Sequence, residues 1–504
     1  MKSLLLFSIV LLSATSFSQE LTTTEQRVEI KLKDNRYKET AHTMGKHGVV
    51  VKSLSRTEGI KGDYYLHHDV YDLDLKLTHS DSIKQDTQNP YIATFEGEQS
   101  IYYLAYHRNL PTYICAFDIN TGETKRTEFD LIGIKGIKQI YSFHVVGQKA
   151  YAILEEIGKV SLLLFDLDKG AATITPITIE GITKDKAAPM NLQYLEAAEK
   201  FYLSLRVYVS KEEIVTYLLS IDLEGKLSKP EMINGMGDKI INSISVGAVG
   251  SNEVAVAGTY CSKLGGPDTG VFFGGSSNGA FTKINTYNFI DIPNYFSSLS
   301  EKRQEQIKNK AEKKTSEGKV FEFKENLIIH DVISADNEFL FIAESVQPIT
   351  HFDTKTTTVN GRTTTERVEV LDGYYYSDAM VTKFNAEGEI IWNQSFDISL
   401  STDFKIPRTL IHVATNEQKN IQLVYSYGYQ IFAKAYSFDG EIVHDKKSNP
   451  IISPDESEKV SVYFSNISYW YDNYFLSFGD EKITNKEDRT DKRKVLFMNK
   501  ISFE

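Results

Sequence analysis

The chain has 504 residues, a formal net charge of −12 and only two cysteines. An acidic surface repels phosphate, which excludes a nucleic-acid backbone as partner, and two cysteines exclude a scaffold built on disulfides. A hydrophobic fraction of 41% supports a real core, and 29 Tyr and 28 Phe against 11 Pro favour strands.

The chain opens with Lys2, the apolar run Leu4–Leu12 and the small, polar stretch Ser13–Gln19. This is the order of an export signal, too short to span a bilayer. Cleavage is expected after Ser18, so residues 1–18 are a leader and the product is periplasmic or extracellular. No later segment reaches the roughly 18 apolar residues of a membrane span. Next comes a lone alternating strand, Arg27–Leu32 (RVEIKL).

From there a unit recurs with a period of about 45 residues. A strand ends in an aromatic or aliphatic residue plus Asp or Asn, a tight turn with Gly follows, and a second strand leaves. The copies are AFDINTGE from Ala116, LFDLDKG from Leu164, SIDLEGK from Ser220, KFNAEGE from Lys383 and SFDGE from Ser437. Gly supplies the positive φ of a hairpin turn and the acid or amide accepts from the turn backbone. A second hairpin precedes each copy, and two hairpins make a four-stranded antiparallel blade. The fold class expected is therefore an all-β propeller over residues 19–504, a single domain with one inserted helix. Its blades fall near 37–85, 90–131, 138–182, 190–234, 241–292, 327–398 and 408–452, with an eighth from Val460. That last blade lacks an outer strand, and Arg27–Leu32 is expected to supply it and close the ring. The first blade is weakly marked, so seven blades remain open, as do a β-solenoid and tandem sandwiches.

The strand–turn–strand FNAEGEIIWNQSF from Phe384 resembles that of pyrroloquinoline-quinone-type and related bacterial propellers. The segment Leu327–Phe396, with LIIHDV, IAESVQP and DGYYYSDAMVTKFNAEGEIIW, is similar to a set of uncharacterised secreted proteins of the Bacteroidetes. These likenesses imply a propeller and carry no activity. The blade-by-blade Trp of quinoproteins is missing, since only Trp392 and Trp470 occur, so no cofactor is expected.

Three segments interrupt the repeat. Thr259–Gly270 is a Gly-rich loop in blade 5. Ser298–Lys319 is a polar helix with Ser298 and Glu301 as a capping box and Gly318 as its stop. Gln347–Asp372 is a β-finger of blade 6 turning at Asn360-Gly361. All three belong to loops between second and third strands or between blades, which emerge on one face of a propeller. Function concentrates in such loops.

Short motifs add little chemistry. Gly275-Ser276-Ser277-Asn278-Gly279 fits G-x-S-x-G, but strands flank it where a nucleophile elbow needs strand and helix. Asp118 and Asp166 begin calcium-loop-like runs without the glutamate such a loop requires, so they read as turns. Cys115 and Cys261 read as small buried hydrophobes. His67 and His68 are expected on opposite faces of one strand. His330 and His412 fall on the innermost strands of neighbouring blades, beside Asp331, with His144 on another; no spacing supports a metal site.

No catalytic residue is identified. The leading expectation is a monomeric binding propeller whose ligand is a protein, peptide or glycan held on the face with the insertions, where Tyr260, Asp268, His351, Tyr374 and Tyr375 are candidate contacts. The alternative is a hydrolase or lyase at the channel mouth using His330, Asp331 and His412.

Overall fold

The structure, a computed structural model, describes residues 21–503 except 33–35, 57–63, 87, 108, 130–136, 157–158, 183–185, 211–212, 250–252, 278–279, 360–361, 417–418 and 452–456. The leader and the Asn360-Gly361 turn lie outside the described residues. Strands dominate, in eight antiparallel sheets. Blade 1 runs from Arg36 to Gln85, blade 2 from Tyr91 to Phe129, blade 3 from Ile137 to Pro176 and blade 4 from Ala187 to Met232. Blade 5 runs from Ile240 to Asn288, blade 6 from Asn326 to Thr402, blade 7 from His412 to Pro450 and blade 8 from Glu458 to Phe503. Each has four strands in sequence order from the inside out, with two departures. The inner strand of blade 6 is split into Asn326–Ile329 and Ile333–Ala335, and the outer strand of blade 8 comes from the start of the chain.

The ring is visible in its cores. Strand alternation gives each blade two apolar faces, and each face joins that of the next blade. Leu104 and Ile114 of blade 2 meet Phe143 and Leu163 of blade 3, and Phe273 of blade 5 meets Phe339 and Phe384 of blade 6. Similar cores join blades 1 and 2, 3 and 4, 4 and 5, 6 and 7, and 7 and 8. The eighth joins the ends of the chain: Val49, Val51 and Tyr71 of blade 1 pack with Trp470, Leu476 and Leu496 of blade 8. Eight sheets sharing eight cores in cyclic order are an eight-bladed propeller.

Closure follows the expected route. Leu21–Lys31 is the outer strand of blade 8, with Arg27 opposite Asn499 and Lys31 opposite Val495. Arg27 reaches inward to the buried carboxylate of Glu481, and its guanidinium lies over the Phe497 ring, 5.0 Å from the centroid.

The recurring turns lie between third and outer strands. Asp118 Oδ1 accepts from the amides of Asn120 and Thr121, Asp222 Oδ1 from those of Glu224 and Lys226, and Asn385 Oδ1 from that of Glu389. Gly122, Gly170, Gly225, Gly388 and Gly440 all have positive φ. The acids of the calcium-like runs are thus bound to their own turns. Gly275–Ser277 finishes a strand, and Ala280 starts the next.

Candidate functional site

Register fixes which face the insertions share. In blade 5, Asn288 ends the outer strand opposite Gly270. In blade 6, Asn326 begins the inner strand opposite Val346, where the finger departs. Helix α1 (Glu301–Ser316) spans between those two ends. Helix, Gly-rich loop and finger therefore stand together on one face, called here the connection face.

Two details of α1 differ from the sequence reading. It starts later, with Ser300 at the N-cap position. Ser298 donates instead to Asp378 Oδ2 at 2.7 Å, so the hydroxyl expected to cap the helix fastens the preceding segment to blade 6. Gly318, at φ +71°, ends the helix as expected. Only Ile307 and Ala311 of α1 are buried.

Under the helix lies a hollow of about 810 Å³, with Lys239, Tyr260, Asn288 and Asp291 on the propeller side and Ala311 and Thr315 on the helix side. Tyr260 is buried among blade 4 and 5 side chains, which pushes its hydroxyl pKa up, and Lys239 Nζ lies 5.5 Å from its ring centroid. Tyr260, a candidate contact from sequence, lines the hollow, as does Lys239, which sequence reasoning did not single out because it sits in an unmarked connection. Asp268 is also buried, but its carboxylate is taken: it accepts from Asn242 Nδ2 at 2.8 Å and from the Leu327 amide at 2.9 Å. It anchors the Gly-rich loop to blade 6.

His351 lies elsewhere, exposed on the finger and paired through Nδ1 with Asp372 Oδ1 at 2.7 Å. The finger is a continuation of the second and third strands of blade 6, paired down to Val359 and Arg362. Tyr374 and Tyr375 stand at its root opposite Thr402 and Ser401, and Tyr374 packs against the blade 6–7 core. The candidate binding residues share the connection face without converging on one pocket.

At the channel, the three candidates of the enzyme reading separate. His330 Nε2 is 2.7 Å from Glu344 Oε1, a carboxylate with no exposed surface that also accepts from the amides of Leu410 and Ile411 at 3.0 Å. The group ties blade 6 to blade 7. His412 is half-buried beside it, and withdrawal from water, helped by the charge of His330, lowers its pKa to about 4. Asp331 turns the other way, to Ser245 of blade 5, and lines a hollow of about 470 Å³ with Arg206 and Asn242. Glu344 was not singled out from sequence, because nothing in FLFIAES distinguishes it from an edge-facing strand acid. His67 and His68 do face opposite ways, His67 to Ser55 at 2.7 Å and His68 to the Tyr103 hydroxyl at 2.6 Å. His144 is half-buried between Phe95 and Phe201. Cys115 and Cys261 are free and buried.

Among the described residues no helix is long and apolar enough to cross a membrane. No family model and no curated protein matches the chain. Solved structures similar to it include the WD40 domain of SCAP from fission yeast, at 7% identity and TM-score 0.37 over 96% of this chain and 98% of that one. The propeller domain of the Trilobed protease from Pyrococcus furiosus is similar at 9% identity and TM-score 0.33, over 87% and 99%. A puromycin-hydrolyzing peptidase of Mycobacterium tuberculosis is similar at 7% identity and TM-score 0.39, covering 79% of this chain but 52% of the peptidase. The chain thus spans about half the length of that enzyme. The ring assignment rests on its own sheets and cores.

Proposed function

We propose that the chain is an exported binding propeller that holds a segment of a partner protein or peptide on the connection face, in the hollow between α1 and blade 5. The observation that carries this reading is the hollow itself. A lightly attached helix roofs a concave wall of about 810 Å³ in which Lys239 and Lys319 face Asp238, Asp291 and Glu322. Mixed charge around an aromatic edge suits a peptide, whose backbone and side chains offer both signs and apolar contact. The channel side offers less for catalysis, since His330 is bound to Glu344 and Asp331 is directed away from it. The order of charge, apolar run and small residues at the N-terminus supports export.

A photo-crosslinking residue at Thr315, introduced in the native host, tests the reading. A discrete adduct is expected there, absent when the same probe replaces Gln148 in a turn on the opposite face, and absent again when Ala311→Trp fills the hollow in a protein whose cooperative melting shows that the ring is still folded. Equal labelling at both faces, or labelling that survives Ala311→Trp, would overturn it. N-terminal sequencing of the protein recovered from envelope or medium checks cleavage after Ser18; a chain starting at Met1 would refute export by this leader.

A further inference from the structure

A second hollow, of about 670 Å³, opens on blade 8 and is lined by Lys459, Tyr463, Lys482, Lys486, Arg489 and Lys492, together with small polar side chains and no carboxylate. Its order comes from sheet register. Lys459, Thr484 and Lys492 lie directly opposite one another across three strands, and Ser461, Lys482 and Lys494 form the next row. All six side chains share one face, because they alternate with residues such as Ile483 that point the other way. On the second strand that face continues past Asp480 into Phe478 and Leu476, which enter the blade 8–1 core. Lys482 and Lys494 are thus about 5 Å apart across the strands and Lys492 and Lys494 about 7 Å apart along one, measured at the strand, while Lys459 lies two strands, about 10 Å, from Lys492 with Thr484 between them.

Two further observations point to a ligand. The side chains of Lys459, Lys482, Arg489 and Lys492 make no hydrogen bond or ion pair with any described residue. Unpaired lysines also occur singly elsewhere on the surface, whereas others have carboxylate partners, as in Lys46–Asp472, Lys52–Glu96 and Lys149–Glu224; what marks blade 8 is that several unpaired cations line one hollow. The nearby acids do not line the hollow. Glu458 is held by Arg493 at 2.5 Å, and Asp488 accepts from the hydroxyl and amide of Thr490 within its own loop. Asp480 lies further in, where burial raises its carboxyl pKa. Tyr463 has no cross-strand partner. The register slips between Val462 and Phe464, and this bulge turns the ring outward, where it is 65% exposed. Comparable slips recur between the first and second strands of other blades, at Tyr91/Ala93, Ile140/Ser142, Pro189/Asn191 and Ile241/Ser243, so the bulge belongs to the repeat, and what distinguishes Tyr463 is its place beside the lysines of the hollow.

We propose that this face of blade 8 binds an acidic saccharide, with its carboxylate or sulfate groups on the two lysine rows and a sugar ring on Tyr463. A concave surface of one charge sign concentrates the field and draws in a multiply charged anion. The repeating grid suits an oligomer with regularly spaced anions better than a single small ion. The lone flat ring suits the apolar face of a pyranose, whereas single-stranded nucleic acid is held by successive aromatic platforms. The site lies beside the second-to-third-strand loop of blade 8 and hence on the connection face, but it shares no residue with the hollow under α1.

Calorimetric titration of the full chain separates the candidate ligands, using a uronic-acid tetrasaccharide, a sulfated tetrasaccharide, a neutral tetrasaccharide, inorganic phosphate and a short oligothymidylate. At least one acidic tetrasaccharide is expected to bind at low salt, to weaken between about 50 mM and 0.5 M salt, and to outbind the neutral one. The double variant K482Q/K492Q is expected to lose about ten-fold or more in affinity, with Tyr463→Ala losing less and both variants keeping the wild-type melting temperature. Unchanged affinity in the double variant overturns the site. Absence of acidic-saccharide binding overturns the proposal, as does phosphate binding as well as the tetrasaccharide or the oligothymidylate binding more tightly. None of these outcomes bears on the hollow under α1, where Ala311→Trp is the probe.

Discussion

Two glutamates, one in blade 6 and one at its entry, are largely withdrawn from water, yet their surroundings oppose each other. Glu344, facing blade 7, is met by His330 and by the amides of Leu410 and Ile411. Glu325, facing blade 5, accepts a 2.6 Å hydrogen bond from the Tyr295 hydroxyl but lies in the field of Asp378 and Asp268. Burial of a carboxylate is costly unless hydrogen bonds and charge compensate it. Blade 6 is thus clamped to one neighbour by a satisfied acid and meets the other across an acid held against its ionised form. The side with the uncompensated acid is the side that carries α1 and the hollow beneath it. A third buried acid, Glu481, stands between the two: burial raises its carboxyl pKa, and Arg27 of the closing strand pairs with it and offsets that cost in part.

Removing the compensation should therefore cost most where a whole strand goes with it. Deletion of residues 19–33 takes away Arg27 and the partly buried Val28, Ile30 and Leu32. It leaves Glu481 without its cation and the Lys492–Phe503 strand with an open edge, which also invites association. A fall in melting temperature of roughly 5 °C or more is expected, along with concentration-dependent aggregation. An unchanged melting curve would show that the ring does not depend on this closure.

Next in size is Glu344→Ala. It strips the acceptor from two buried amides and from His330, a loss of about 3 kcal/mol by the usual cost of orphaned buried groups. Glu344→Gln, which keeps one acceptor oxygen, should lose less. Urea unfolding followed by tyrosine fluorescence measures both; equal and small losses would mean that the blade 6–7 core alone holds this seam.

How much of this was legible in the sequence follows from what leaves a local mark. Turns did, because a positive φ demands Gly and a turn amide rewards Asp, and blade boundaries came out within a few residues from them. The closing strand was legible by subtraction, as a spare alternating run matched to a blade short of one strand. The insertions and their common face followed from topology. The N-cap was misplaced by two residues because Ser298 and Ser300 are equally good caps until Asp378, 80 residues away, engages one of them. Glu344 was invisible for the same reason, its partners at Leu410 and Ile411 lying 66 and 67 residues on. The lysine rows of blade 8 did leave a trace, the period-two runs Lys459-x-Ser461-x-Tyr463 and Lys492-x-Lys494, but their alignment across strands exists only once the register is set.

The smallest effect, and the sharpest in its dependence on conditions, belongs to Glu325. Burial raises its carboxyl pKa to about 7; the Tyr295 hydrogen bond opposes the shift, and Asp378 and Asp268 add to it. An unfolded glutamate titrates near 4.3. Below that value both states hold the proton and the site adds no pH dependence. Between there and about 7 the folded chain keeps a proton that the unfolded chain has released, so stability falls as pH rises through this window. Above it both states are ionised and the cost is fully present. The side chain of a Glu325→Gln variant is neutral throughout, and its carbonyl oxygen can still accept from Tyr295. Glu325→Gln should therefore match the wild type near pH 4 and exceed it by about 1 kcal/mol at pH 8, a discounted value for one incompletely buried group. Some slope should persist in the variant, since burial also raises the carboxyl groups of Asp268 and Asp378. Urea midpoints of both proteins at pH 4, 6 and 8 measure the difference. Parallel profiles would show that Glu325 stays ionised when folded, and the contrast with Glu344 would then vanish.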